Sequence, residues 1–257
     1  MFFFPFKDDN PTGNKPFISW LIIFLCIIIY LVQISFSSNE VKLFIMSYGV
    51  TPGLLINNFG SLWFTVLSSM FIHGNISHLL GNMLYLWIFG DNVEDSFGKL
   101  KFIFFYILCG GAAVIAQTLY DVDSLTPMIG ASGAIAGILG GYLVLYPRAK
   151  VWVFMLIIFF VRLITVPAFV VLGIWMIMQL MNVLDQGQSG VAYSAHIGGF
   201  IAGMILAPMF KNKDKKIFAP SGDTEYISKK ISKEDYLKHL PSLGKVKKKK
   251  ISYVYRL

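Results

Sequence analysis

The sequence predicts an all-α integral membrane protein, a bundle of six transmembrane helices, and three observations carry that prediction. Of 257 residues, 56 % are hydrophobic and only 14 % charged, too apolar a balance for a soluble domain of this length. Three runs, residues 17–34, 102–120 and 166–184, are long enough to cross a hydrocarbon core as helices without one charged side chain. Three more, residues 76–90, 131–146 and 195–210, are shorter, richer in Gly and Ala, and carry polar residues, as core helices shielded by the first three would.

Taken in order, residues 1–16 form a short cytoplasmic segment, 17–210 the six-helix membrane domain, and 211–257 a basic cytoplasmic tail. The N-terminus lacks the apolar stretch and Ala-x-Ala-like cleavage site of a secretory signal, so the first run is expected to remain as an anchor. Residues 35–72 mix Phe44, Met46, Leu54, Leu55 and Trp63 with Gly and Pro, and are expected to lie in the membrane interface. Residues 151–164 are too short to span and are punctuated by Arg162 and Pro167, which reads as an interfacial loop. Gly133, Gly137, Gly140 and Gly141 in the fourth run, and Gly199 and Gly203 in the sixth, are spaced to let helix backbones approach closely. Cys26 and Cys109 both lie inside apolar runs, where cysteine acts as a small hydrophobe and no disulfide is expected.

Charge sets the partners and the orientation. The net charge of +8 belongs to the tail: residues 1–210 hold eight Lys/Arg against nine Asp/Glu, and residues 211–257 hold fourteen against five. A basic tail beside a membrane domain suits anionic membrane lipids, and nothing in the chain suggests a nucleic-acid partner. Lys99 and Lys101 follow the second run, Arg148, Lys150 and Arg162 the fourth, and Lys211 to Lys216 the sixth. The opposite loops hold Lys42 with Glu40, Asp121, Asp123 and Asp185. The excess of cations marks the cytoplasmic side, so both termini are expected there, with the second, fourth and sixth spans all running inward.

Polar side chains at membrane depth are functional candidates by default. Ser132 begins the fourth span, His196 begins the sixth, and His78 and Asn82 occupy the outer half of the second. Three helices far apart in the chain thus bring a hydroxyl, an imidazole and an amide to one depth. Serine and histidine so arranged suit nucleophile and general base. No acidic residue lies within a span, so the pair would act as a dyad. His78 and Asn82, four apart, share a helix face and could donate to an oxyanion, helped by the free amides and dipole at a helix start carrying Ser132. His73, at the expected membrane boundary, is assigned a structural or water-organising role. A transporter reading fits less well, because the chain shows no internal repeat and its polar residues gather toward one face.

These residues resemble the motifs of the rhomboid family of intramembrane serine proteases, over residues 17–210. Gly130-Ala131-Ser132-Gly133 stands where the family has Gly-x-Ser-Gly, and the stretch from Ala195 and His196 to Gly203 resembles its histidine helix. His78 and Asn82 match its His-x-x-x-Asn, and the stretch from Gly90 to Gly98 resembles the turn after that helix. The resemblance implies a serine endopeptidase with a Ser132/His196 dyad, oxyanion stabilisation by Asn82 and His78, and no metal or cofactor. It implies transmembrane protein substrates cut in or near a helix, often beside small residues, with access controlled by the fifth helix and nearby loops. A bacterial inner membrane is the expected location, and the sequence leaves the oligomeric state open. Two departures stand out. Some members place a tyrosine against the histidine ring four residues after the serine, where this chain has Ala136, so another side chain must hold the ring; and the Trp-Arg pair of some first outer loops is missing.

Overall fold

The computed structural model describes residues 2–157, 160–184 and 190–219. Asp185 and residues 220–257 of the basic tail lie outside the described residues. Strand β1 (Phe2–Asp8) leads into α1 (Phe17–Gln33), and four shorter helices follow: α2 (Ser38–Tyr48), α3 (Pro52–Asn57), α4 (Phe59–Leu62) and α5 (Thr65–Ser68). After a 3-10 turn at Ser69–Phe71 come α6 (Ile76–Phe97), α7 (Lys99–Tyr120) and α8 (Ser132–Leu145). A hairpin of β2 (Lys150–Ile157) and β3 (Phe160–Pro167) precedes α9 (Ala168–Leu184) and α10 (Tyr193–Phe210). The long helices α1 and α6–α10 are the six expected from the apolar runs.

Helix α8 sits at the centre: Ala134 to Tyr142 are all buried, whereas α1, α7 and α9 turn Phe24, Leu31, Leu108, Ile115, Leu119, Ile177 and Met181 outward. Apolar faces of that extent need lipid to cover them. With 22 and 18 residues, α7 and α10 are long and apolar enough to cross a membrane. At 14 residues α8 is about 21 Å long, short of the roughly 30 Å hydrocarbon thickness. Were its C-terminal end at one interface, its first residue, Ser132, would lie below the opposite one.

The small residues of α8 and α10 work as backbone contacts. A Cβ on Gly199 would fall on the Gly133 carbonyl oxygen, one on Gly203 on that of Gly137, and one on Gly140 on that of Phe200. The two helices can approach this closely only where side chains are missing. That closeness is what lets Ser132 and His196, one on each helix, meet.

Two expectations are corrected. Residues 151–157 and 160–164 are not a loop but strands, most of the β2–β3 hairpin, in which Val151 and Val153 bury one face while Leu163 stays exposed. An unbroken apolar run hides the two-residue period that marks a strand. Residues 2–8, expected only as part of a short cytoplasmic segment, add a strand: β1 pairs antiparallel with β2, from Phe2 opposite Leu156 to Asp8 opposite Val151 with the register shifting by one residue between Pro5 and Lys7, and completes a sheet ordered β1-β2-β3. The second correction is at the end of the second span, where Gly90 to Phe97 are two further turns of α6 and the chain reverses at Gly98, whose φ of 79° favours glycine. Residues 35–72 form α2 to the 3-10 turn, with Met46, Leu54 and Trp63 exposed.

One end of the bundle gathers the sheet and the segment after α10. Asn14 donates to Asp95 at the end of α6, Asn212 N–H donates to the Ser96 carbonyl, and Phe218 N–H donates to the Val144 carbonyl at the end of α8. The starts of α6, α8 and α10 therefore lie together at the other end.

Candidate active site

Each polar residue of the site is fixed by its own element before it meets the others. Asn75 caps α6, its side chain accepting from His78 N–H at 2.8 Å, so His78 sits in the first helical turn. One turn on, the buried Asn82 donates from Nδ2 to the His78 carbonyl at 3.1 Å. Ser132 is the first residue of α8, where backbone amides have no partner within the helix and the dipole favours negative charge. Before it, Gly130 adopts φ 117° with its N–H on the Ser69 carbonyl. A Cβ there would lie 2.6 Å from Nε2 of His78, so glycine is required both by the backbone and by the neighbouring ring.

Ser132 and His196 meet directly: Ser132 Oγ lies 2.8 Å from Nε2 of His196. On the other side of the ring, Nδ1 lies 2.8 Å from Oε1 of Gln179 on α9. The Trp175 ring, one turn earlier on α9, lies 5.8 Å from the imidazole at 33°, and supplies the packing that Ala136 cannot. Ser132, His196, His78, Asn82 and Trp175 line one cavity of about 890 Å³. A second cavity of about 40 Å³, walled by Met70, Gly110, Ala113, Gly133 and Ala195, adjoins the serine.

All four residues expected from the sequence thus face one space. His73 stands behind them, fully buried, its ring 5.1 Å from that of His78 and its carbonyl accepting from Gln33 of α1 at 2.8 Å. That contact suits a structural role better than contact with a reacting group. Gln179 and Trp175 were missed. Gln179 carries the same signal as the others, an amide inside an apolar run, but nothing along the chain says which ring it meets.

The arrangement can perform acyl transfer: a hydroxyl on a base, donors at one side, and room for a peptide. Comparison with known proteins points the same way. The family model described as Rhomboid domain matches residues 60–213. Rhomboid protease GluP of Bacillus subtilis is 30 % identical over 205 residues, covering 79 % of this chain and 35 % of its own length. RHOMBOID-like protein 12, mitochondrial, of Arabidopsis thaliana is 31 % identical over 151 residues, or 52 % of this chain and 43 % of the relative. Rhomboid protease AarA of Providencia stuartii is 28 % identical over 218 residues, covering 72 % and 69 %. The chain spans less than half the length of the Bacillus and Arabidopsis relatives. The matched residues contain α6 to α10 with every polar residue of the site, and the chain belongs to the rhomboid family.

Proposed function

We propose that the protein is an intramembrane serine endopeptidase that cleaves transmembrane proteins in or near their membrane-spanning helices. The observation that carries this reading is the 2.8 Å approach of Ser132 Oγ to His196 Nε2 in the wall of a cavity that His78 and Asn82 also line. His196 takes the Ser132 proton as the hydroxyl attacks the scissile carbonyl, and then delivers a proton to the leaving amine. The resulting oxyanion is met by the Ser132 N–H and by donors on His78 and Asn82. Water, activated by the same imidazole, then releases the acyl group. The small cavity beside the serine supports a preference for small side chains at the cut, and a substrate helix must unwind locally before its carbonyl is free for attack. In this reading both termini are cytoplasmic and the dyad opens toward the opposite side of a bacterial inner membrane.

The test is cleavage of one transmembrane substrate, together with labelling by a fluorophosphonate probe, in wild type, Ser132→Ala, His196→Ala and the double variant. Both single variants are expected to fall to background, and the double variant to fall no further, because residues acting as one unit lose function together. Substantial cleavage by folded Ser132→Ala would end the assignment.

A further inference from the structure

We infer that Gln179, on α9, is the positioning residue for His196, standing where soluble serine hydrolases use a carboxylate. The inference rests on the dyad proposed above. Its argument starts from the amide itself. Nε2 of Gln179 donates to the Trp175 carbonyl at 3.1 Å, which identifies the nitrogen end and leaves Oε1 facing the imidazole. An amide oxygen only accepts, so the Nδ1 that lies 2.8 Å from it must carry the proton. Neutral imidazole then presents a bare Nε2, and that is the atom 2.8 Å from the Ser132 hydroxyl. Gln179 thereby selects the one tautomer that can accept the serine proton, and fixes the ring by hydrogen bonding while Trp175 packs against it.

Burial supports a dedicated role. From Ile174 onward α9 turns Ile174, Ile177, Met178, Leu180 and Met181 outward, yet Gln179 is only 6 % exposed. An amide withdrawn from water within a membrane helix is costly unless both its ends are bonded, and here both are. A neutral amide also orients the ring without adding a buried charge at membrane depth.

The expected effects separate positioning from packing. Removing the orienting carboxylate of a soluble triad costs about 10⁴ in kcat. A neutral amide stabilises the imidazolium less, so Gln179→Leu should lower kcat and the rate of fluorophosphonate labelling about tenfold to a hundredfold, with KM changed by less than about threefold. Gln179→Glu keeps an oxygen for Nδ1–H and, as the neutral acid, a hydroxyl for the Trp175 carbonyl, and should recover most of the loss. Nitrogen NMR of ring-labelled histidine, with His196 assigned by loss of its signals in His196→Ala, should show the proton on Nδ1 in wild type and a mixed population in Gln179→Leu. A wild-type His196 protonated on Nε2, or a folded Gln179→Leu with wild-type kcat, would overturn the inference. Should Gln179→Leu fail to fold, the wild-type tautomer and the Gln179→Glu rates decide. If wild type neither cleaves nor labels, the protease reading fails, while the tautomer still reports whether Gln179 positions the ring.

Discussion

His78 and Asn82 differ from Ser132 and His196 in how much chemistry would rest on each. In the proposed mechanism nothing would replace the hydroxyl or the base, whereas the oxyanion would have three sources of donors, one of them the Ser132 backbone. His78→Ala and Asn82→Ala should therefore each retain measurable turnover, with losses on the order of a hundredfold to a thousandfold at most, while KM changes little. Gly130 offers an independent check. A methyl at Gly130 would press on His78 Nε2 from 2.6 Å in a backbone conformation that alanine resists, so Gly130→Ala should lose at least as much as His78→Ala, and combining the two should cost less than the product of the separate losses. Steady-state cleavage by the four variants checks this; strictly multiplicative losses would show that Gly130 acts elsewhere. At this scale the sequence is highly legible, because a polar side chain in an apolar run announces itself. What it does not announce is its partner. Gln179 stands out from the fifth run by the same rule as His78, yet its contact with His196 depends on how α9 and α10 pack.

The elements were legible wherever hydrophobic length decided them, and less so where a tertiary contact did. Six apolar runs gave six long helices. The hairpin was hidden because β2 is apolar along both faces and its other partner strand is more than a hundred residues away in the chain. The end of α6 was hidden because the stretch from Gly90 to Gly98, with Asp91, Glu94 and Asp95, resembles a turn. Glu94 instead is 3 % exposed and caps α1: its carboxylate accepts from the N–H groups of Ile18 and Ser19, at 2.9 and 2.8 Å, and from the Ser19 hydroxyl at 2.9 Å. Charge at a helix start, three hydrogen bonds and burial act together. Glu94→Ala should lower stability by about 2–4 kcal/mol, since it leaves buried donors without a partner. Glu94→Gln should cost less, because one amide oxygen still accepts. Unfolding of detergent-solubilised protein in a denaturant series measures both; equal stability of wild type and Glu94→Ala would show that water caps α1 as well.

Across the whole molecule, the N-terminal strand, the hairpin and the start of the tail close the end opposite the dyad, and each is tied to a helix that carries part of the site. Asp8 at the end of β1 makes such a tie, accepting from the Tyr142 hydroxyl of α8 at 2.6 Å. Removal from water pushes the Asp8 carboxyl up to about 7, and the nearby Asp91 adds to the rise, although the Tyr142 hydrogen bond favours the charged form. In an unfolded chain the same carboxyl titrates near 3.8. Between those values the folded protein holds a proton that the unfolded chain has released. Burying Asp8 is therefore least costly below about pH 4, and its cost grows steadily as pH rises toward 7, above which it is constant. Asp8→Asn keeps a side-chain oxygen for Tyr142 but has no proton to lose. Thermal unfolding at a series of pH values from 4 to 8 should show wild type losing stability relative to Asp8→Asn as pH rises, with the difference levelling off above about pH 7. Parallel curves for the two proteins would mean that Asp8 titrates alike in the folded and unfolded chain, the Tyr142 hydrogen bond offsetting its removal from water.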